Sequence, residues 1–129
     1  MPTILFFKEI PMTIRGLIDK VQEEKPNSFS NEKLLSYINE IEEDVADQLH
    51  EEFDPYETID TTELMAPAPY DRLYVSYVKS QIDYANEEYA SYQLNAEQHN
   101  QDMTDFINWI VRNGIAVNAY HTKRFRHIY

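Results

Sequence analysis

The sequence predicts an all-α fold: a small helical bundle with two shorter helices in its N-terminal half, one long helix after them, a long loop between, and extended termini. Three observations lead to this prediction. Apolar residues recur at three- and four-residue spacing along most of the chain. Gly16 and Gly114 are its two glycines, too few for the tight turns of a hairpin-rich β fold. With 129 residues, 43% of them hydrophobic, the chain can bury the core of one domain.

The predicted layout has three parts. Residues 1–12, "MPTILFFKEIPM", hold an apolar run between two prolines and are expected to form an extended arm. Residues 13–113 form the helical domain, which includes a long loop at 54–68. Residues 114–129 form a basic tail. The apolar run near the start is too short for a signal peptide.

Each of the two shorter helices has a start signal. Thr13 is the predicted N-cap of the first helix, which should end before Pro26. Ser30 caps the second, which should reach about Glu52. Their apolar stripes are Ile14, Leu17, Ile18 and Val21 in the first and Leu34, Ile38, Ile41, Val45 and Leu49 in the second.

The loop at 54–68, "DPYETIDTTELMAPA", contains two prolines and clustered Asp and Thr, so no helix should persist through it. A short strand is expected around Thr58 and Ile59. Loops of this length in small domains are often functional, so this one is a candidate for reaching a neighbouring molecule.

Spacing of three and four residues continues from 75 to 110. It predicts one long helix or two nearly collinear ones, with a kink most expected in the polar run 95–102 and an end near Gly114. The residues at this spacing are Val75, Val78, Ile82, Ala85, Tyr89, Tyr92, Ala96, His99, Met103, Phe106 and Ile110.

Charge is distributed unevenly. The net charge is −12, and residues 31–65 hold twelve acids against one lysine. Such acidity argues against a generic nucleic-acid binder. The tail carries Lys123, Arg124 and Arg126 and no acid, so it is expected either to fray or to dock on an acidic surface such as residues 31–65. No apolar run is long enough to cross a bilayer, so no membrane association is expected.

No motif indicates catalysis, and we predict no enzyme activity, cofactor or metal. There is no cysteine, no phosphate-binding glycine loop and no metal-ligand spacing among the four histidines. His99 is expected to be a packed, hydrogen-bonded side chain at a helix junction. Neighbouring carboxylates on a helix point about 100° apart, so they are predicted to form solvated faces. These runs are Glu42, Glu43 and Asp44, then Glu51 and Glu52, then Glu87 and Glu88.

The tyrosines of the long helix divide into two sets. Tyr89 and Tyr92 share the three-four spacing and are predicted to be core. Four others form a second stripe that needs its own cover, either within the chain or from another subunit, where tyrosine is favoured. These contact candidates are Tyr70, Tyr74, Tyr77 and Tyr84.

The segment "LMAPAPYDRLYVSYVKSQIDYANEEYASYQLN" resembles a block found in small proteins of tailed bacteriophages and prophages, the head–tail connector or adaptor proteins. The earlier "KPNSFSNEKLLSYINEIE" is similar to the family's turn and second helix. The resemblance covers residues 13 to about 110 and carries no catalytic signature.

The resemblance implies a virion protein of the phage neck. Such subunits form a ring, commonly of twelve copies, beneath the portal protein, extend the DNA channel without reading its sequence, and dock the next tail-completion (stopper) protein. A closed ring joins two different patches of each subunit. Candidates for these contacts are the four tyrosines above, the loop 54–68, and Lys123, Arg124 and Arg126 reaching the portal or an adjacent subunit. From the acidity alone, a different class stays open: a phage regulatory or inhibitory protein that mimics DNA.

Overall fold

The computed structural model describes residues 11–114, and all the regular secondary structure in that range is helical. The all-α prediction is therefore confirmed. Four helices follow one another along the chain: α1 (Ile14–Glu24), α2 (Asn31–Leu49), α3 (Arg72–Ala85) and α4 (Tyr89–Arg112). None of the described helices is long and apolar enough to cross a membrane.

The predicted caps of α1 and α2 are confirmed. Thr13 Oγ1 accepts a hydrogen bond from the Gly16 amide at 3.0 Å, and Ser30 Oγ accepts one from the Lys33 amide at 3.1 Å. Each bond satisfies an amide that has no partner within its helix. Helix α2 ends at Leu49, earlier than the predicted Glu52, because His50 adopts the left-handed conformation with φ 60°.

The prediction for residues 75–110, one long helix or two nearly collinear ones, is wrong, because two antiparallel helices occupy this range. The chain reverses direction at Asn86–Glu88, where Glu87 has φ 59°, and the polar run 95–102 that was expected to kink lies inside α4. The Glu88 amide bonds the carbonyl of Asp83 at 2.9 Å, which closes the end of α3. The regular spacing continues across this break because α3 and α4 each present an apolar stripe to the other.

Helices α3 and α4 form an antiparallel hairpin with a regular register. Arg72 near the start of α3 lies 3.4 Å from Asp105 near the end of α4, and Ser76 donates to Asp102 at 2.9 Å. At the other end, Ser91 donates to Asp83 at 2.8 Å. The turn joining the two helices is therefore one end of the molecule, which we call the hairpin tip.

The core lies between α1, α2, α3 and the C-terminal half of α4. Its fully buried large side chains include Leu17, Ile38, Ile41, Leu73, Ile82, Phe106 and Ile110. Helix α2 runs antiparallel to α3, since Glu42 contacts Tyr74 and Glu40 contacts Tyr77. The end of α2 therefore lies away from the hairpin tip, on the side where α3 begins and α4 ends.

The loop after α2 packs against the start of α1, and the strand predicted around Thr58 and Ile59 is absent. A single antiparallel bridge joins Thr13 to Glu63 instead. The first two amides of α1, which have no helical partner, donate to the carbonyls of Thr62 and Asp60 at 3.0 Å each. The loop thus serves as a backbone cap for α1, which a local sequence pattern does not reveal.

Candidate partner-contact site

The four candidate tyrosines differ in how far they are buried. Tyr74 is completely buried, Tyr70 and Tyr77 are partly buried, and Tyr84 is 59% exposed. Of the two covers left open for this stripe, the chain itself therefore covers Tyr74. Cover from another subunit stays a prediction, and Tyr84 is the candidate most exposed to such a contact.

Three of these tyrosines form what we call the aromatic ladder of the hairpin. Its rungs are the pairs Tyr70–Phe106, Tyr77–His99 and Tyr84–Tyr92, with ring centroids 6.4, 5.2 and 5.3 Å apart. The members are seven residues apart along each arm, about two helical turns, with Tyr70 in the turn just before α3, so the rungs repeat in register as the arms run antiparallel. This contact pattern follows from the reversal at residues 86–88.

The ladder becomes less covered toward the tip. Phe106 in the first rung is fully buried, and Tyr77 in the second is partly buried, with its hydroxyl 2.9 Å from Glu40 of α2. In the third rung Tyr84 is mostly exposed. The prediction that Tyr89 is core is wrong: it is 57% exposed and contacts Tyr84 edge to face, since it lies at the first turn of α4.

These three residues, Tyr84, Tyr89 and Tyr92, form an exposed aromatic cluster that we call the tip patch. Tyr92 is partly buried by Tyr84. Because exposed aromatic side chains that contact one another are already partly ordered, they lose little conformational entropy when a partner binds. Such clusters are typical of partner-binding surfaces. The tip patch is the candidate contact site with the clearest geometry.

The tip patch rests on a firmly bonded base. Asp83, fully buried beneath it, accepts hydrogen bonds from Ser91 at 2.8 Å and Asn95 at 2.6 Å and pairs with the ammonium of Lys25. Burial alone would raise the pKa of Asp83, but the Lys25 cation and the two donors outweigh it and hold the pKa below its usual range. Lys25 also lies 3.0 Å from Glu88.

A second buried carboxylate, Glu42, joins α2, the loop and α3. It is fully buried and accepts hydrogen bonds from the hydroxyls of Tyr56 (2.6 Å) and Tyr74 and from the Met65 amide (2.9 Å). Tyr74 in turn accepts a bond from the Ala66 amide at 2.8 Å. The solvated-face prediction is wrong for Glu42, because its side chain points at α3 and the loop and finds donors for its charge there.

Burial raises the pKa of Glu42, and its three hydrogen bonds offset that effect only in part. Burial, together with the Glu42 charge, also raises the pKa of Tyr56 and of Tyr74. The arrangement supports a structural role: it attaches the loop to two helices.

Besides Glu42, Asn39 of α2 also holds the loop in place. This attachment limits how far the loop can reach toward a neighbouring molecule. The Asn39 side chain accepts a hydrogen bond from the Tyr56 amide at 2.8 Å and donates to the Tyr56 carbonyl at 3.1 Å. Leu64 and Ala66 are buried in the core. The loop therefore lies along its own chain, and its outer side, which includes exposed Asp54 and Glu57, is left to meet other molecules.

An open acidic groove lies at the end of α2. It measures about 400 Å³ and is lined by the acids Glu43, Asp44, Asp47 and Glu51 together with Ala46 and Phe53. Described residues hold 22 acids against seven Lys or Arg. The groove offers a negatively charged surface at the end of the molecule away from the tip patch.

His99 lies in the middle of α4, where it is partly buried against the start of α3 and hydrogen-bonded, as predicted, although the helix junction expected at this position is absent. Its Nδ1 lies 2.9 Å from the Leu73 carbonyl, and its ring meets Tyr77 at an angle of 61°. Burial lowers its pKa. Within residues 11–114, no group of three or more His, Asp or Glu side chains is placed to hold a metal ion.

The basic candidates Lys123, Arg124 and Arg126, and the arm up to residue 10, lie outside the described residues. The chain matches no protein-family model, and searches among curated proteins and among solved structures return no significant match. The connector resemblance therefore rests on the sequence motifs, and the geometry above bears on it only through the kinds of surface that the chain exposes.

Proposed function

We propose that this protein is a head–tail connector of a tailed bacteriophage: a structural subunit, without enzymatic activity, that forms a homo-oligomeric ring, of about twelve copies as in the family it resembles, in the virion neck. The ring lies beneath the portal, extends the DNA channel and docks the next tail-completion protein. The supporting observation is that the chain exposes two unlike surfaces, the aromatic tip patch and the acidic groove, at different ends.

Two unlike surfaces are what a ring needs. In a closed ring each subunit uses one patch toward the neighbour on one side and another patch toward the neighbour on the other side. The acidic outer side of the loop and of α2 would also repel DNA phosphates, so that DNA passes without adhering. Loop residues held by Glu42 and Asn39 keep a fixed shape for such contacts.

The experiment is mass spectrometry of purified particles of the encoding phage, followed by imaging of the neck at a resolution that traces helices. The expected result is this chain in the particle, in a ring directly below the portal. Its absence from the particle, or a single copy at the connector position, would refute the proposal. Native mass spectrometry of the purified chain is a supporting measurement of copy number.

A second candidate is a DNA-mimicking inhibitor, favoured by the excess of acids on the described chain, 22 against seven Lys or Arg. This function predicts salt-sensitive binding to a DNA-binding enzyme, competition with duplex DNA, and absence from the virion. The same particle analysis separates the two functions, because a component of the neck remains with the particle and an inhibitor stays in the host cytoplasm.

A further inference from the structure

The tip patch is an uncovered aromatic surface for which the chain itself supplies a complementary segment. Tyr84 and Tyr89 are 59% and 57% exposed although each contacts another tyrosine. The aromatic ladder below them is covered by α2 at its middle rung through Glu40 and Tyr77. At the tip the ladder continues with nothing in the described chain packed over it.

The surroundings of the patch are acidic. Between Lys79 and Arg112 the sequence contains six acids and no Lys or Arg, and Glu87, Glu88 and Glu97 of that stretch are exposed. The cation that does reach this end of the hairpin is Lys25, which is matched by Asp83 and Glu88. Exposed tyrosines with an acidic rim favour a cationic partner, because Lys and Arg bind both ring faces and carboxylates.

The sequence contains one segment of that character. Residues 115–129, "IAVNAYHTKRFRHIY", carry three cations and no acid, with Tyr120, Phe125 and Tyr129 among them. The described residues, by contrast, hold 22 acids against seven Lys or Arg. If copies of this chain contact one another through the tip patch, the basic segment is the part of the sequence that complements it.

Distance decides which copy supplies the segment. Helix α4 spans 24 residues, or about 36 Å, between the tip and the point where the segment begins. Lys123 lies nine residues past Gly114, a reach of about 30 Å even when fully extended. The segment of the same chain could bring only its last few residues to its own tip, whereas that of an adjacent copy has no such limit.

We propose that the tip patch of one copy binds the basic C-terminal segment, residues 115–129, of a second copy, which gives a head-to-tail contact. Cations of the segment lie over the rings of Tyr84 and Tyr89 and pair with the acidic rim. The inference rests on the proposed self-assembly; it pairs the tip patch with the basic segment and assigns no contact between copies to the acidic groove. Because the two surfaces differ, the contact can repeat from subunit to subunit and close a ring.

Crosslinking tests the contact directly, since the full chain has no cysteine of its own. Tyr89→Cys and Arg124→Cys are made in separate full-length chains, one tagged so that mixed dimers are resolved, and the two are mixed and treated with a short thiol crosslinker. We expect mixed dimers, lost in 1 M salt because screening removes the charge attraction. The matched control is Leu94→Cys, 69% exposed on another face of α4, with which Arg124→Cys should not crosslink.

A complementation experiment tests the head-to-tail geometry. One variant carries Tyr84→Ser and Tyr89→Ser, and the other carries Lys123→Ser, Arg124→Ser and Arg126→Ser. Each variant alone should lose self-association, and their mixture should stop at a dimer, because it contains one intact tip and one intact segment per pair. Circular dichroism checks that the first variant, altered at exposed positions, keeps its helices.

Equal crosslinking of Arg124→Cys to Leu94→Cys and to Tyr89→Cys would overturn the inference, and so would association of either serine variant at the wild-type level. A chain that carries both Tyr89→Cys and Arg124→Cys gives a further test: crosslinks found only within single chains, and none between chains, would also overturn it. A strictly monomeric chain would overturn it as well. A ring in the particle without the Tyr89–Arg124 crosslink refutes this contact and leaves the connector function standing. If the crosslink forms but the chain is absent from particles, the contact stands and the connector function is refuted.

Discussion

Glu42 and Asp83 are both fully buried carboxylates, yet their pKa values move in opposite directions. Burial raises the pKa of each. Glu42 is bonded by neutral hydroxyls and an amide, which offset burial only in part. Asp83 has the ammonium of Lys25 in addition to two neutral donors, so its charged form is favoured. A cation within bonding distance is the difference between the two sites.

Replacing Glu42 tests its role as the joint between α2, the loop and α3. Glu42→Ala leaves the buried Tyr74 hydroxyl, the partly buried Tyr56 hydroxyl and the Met65 amide without their acceptor and should lower the free energy of unfolding by about 3 kcal/mol. Glu42→Gln keeps the shape and one acceptor and should cost less. The neighbouring, exposed Glu43→Ala is the matched control and should change stability by less than about 0.5 kcal/mol. Urea unfolding measures all three, and equal effects at 42 and 43 would contradict the assignment.

Asp83 predicts a pH dependence with a definite sign. Its folded-state pKa lies below the unfolded value, so it contributes stability above the usual carboxyl pKa, and this contribution is lost as pH falls through the depressed folded pKa. The wild type should therefore exceed Asp83→Asn in stability near neutral pH, and the difference should shrink in acid. Urea unfolding from pH 7 to pH 3 measures it, and a pH-independent difference would exclude the ion pair as the cause.

Single residues were the hardest part of the site to predict from the sequence. The caps at Thr13 and Ser30 were predictable because a cap acts within three residues. The burial of Glu42 was not, because its donors are up to 32 residues away in the chain. Glu42 does lie one residue after Ile41 and three before Val45, beside the apolar stripe, and this position is the one sequence signal that could have raised the question.

At the scale of elements, the reversal between α3 and α4 takes place within three residues, Asn86–Glu88. Spacing alone predicted continuation, because a helical hairpin whose two arms face each other keeps the same three-four pattern on both sides of its turn. No glycine or proline marks the turn, and Glu87 adopts its positive φ of 59° without either. The energy that favours the turn comes from the contacts between the arms, which no local pattern shows.

We therefore expect the substitution Glu87→Gly to raise the stability of the protein. A non-glycine residue in the left-handed region costs about 1 kcal/mol, and Glu87→Gly should recover part of it and raise stability by about 0.5 kcal/mol. Asn86, with φ −89°, is the matched control: Asn86→Gly gains nothing and should destabilise slightly. Thermal unfolding compares the two. A loss of stability in Glu87→Gly would mean that its side chain, not its backbone, holds the turn.

At the scale of the whole molecule, the charge balance predicts a salt response. With 22 acids against seven Lys or Arg in residues 11–114, the folded chain repels itself, and ions screen that repulsion. Raising sodium chloride from 10 to 150 mM, which shortens the screening length from about 30 to about 8 Å, should raise the midpoint of thermal unfolding by a few degrees. The double variant Glu51→Gln/Glu52→Gln should show a smaller salt-induced rise of this midpoint, because it carries two fewer negative charges. A falling midpoint would show that ion pairs such as Lys25–Asp83 dominate instead.

The sequence by itself determined the all-α class, the positions and caps of the first two helices, the packed state of His99 and the separation of acidic and basic regions, because these depend on periodicity, capping and composition within a few residues. The tertiary structure alone decided that the second half is a hairpin, that Tyr74 and Glu42 are buried while Tyr89 is exposed, and that the loop caps α1. Those features depend on contacts between residues far apart in the chain, where the free energy of packing outweighs local preference.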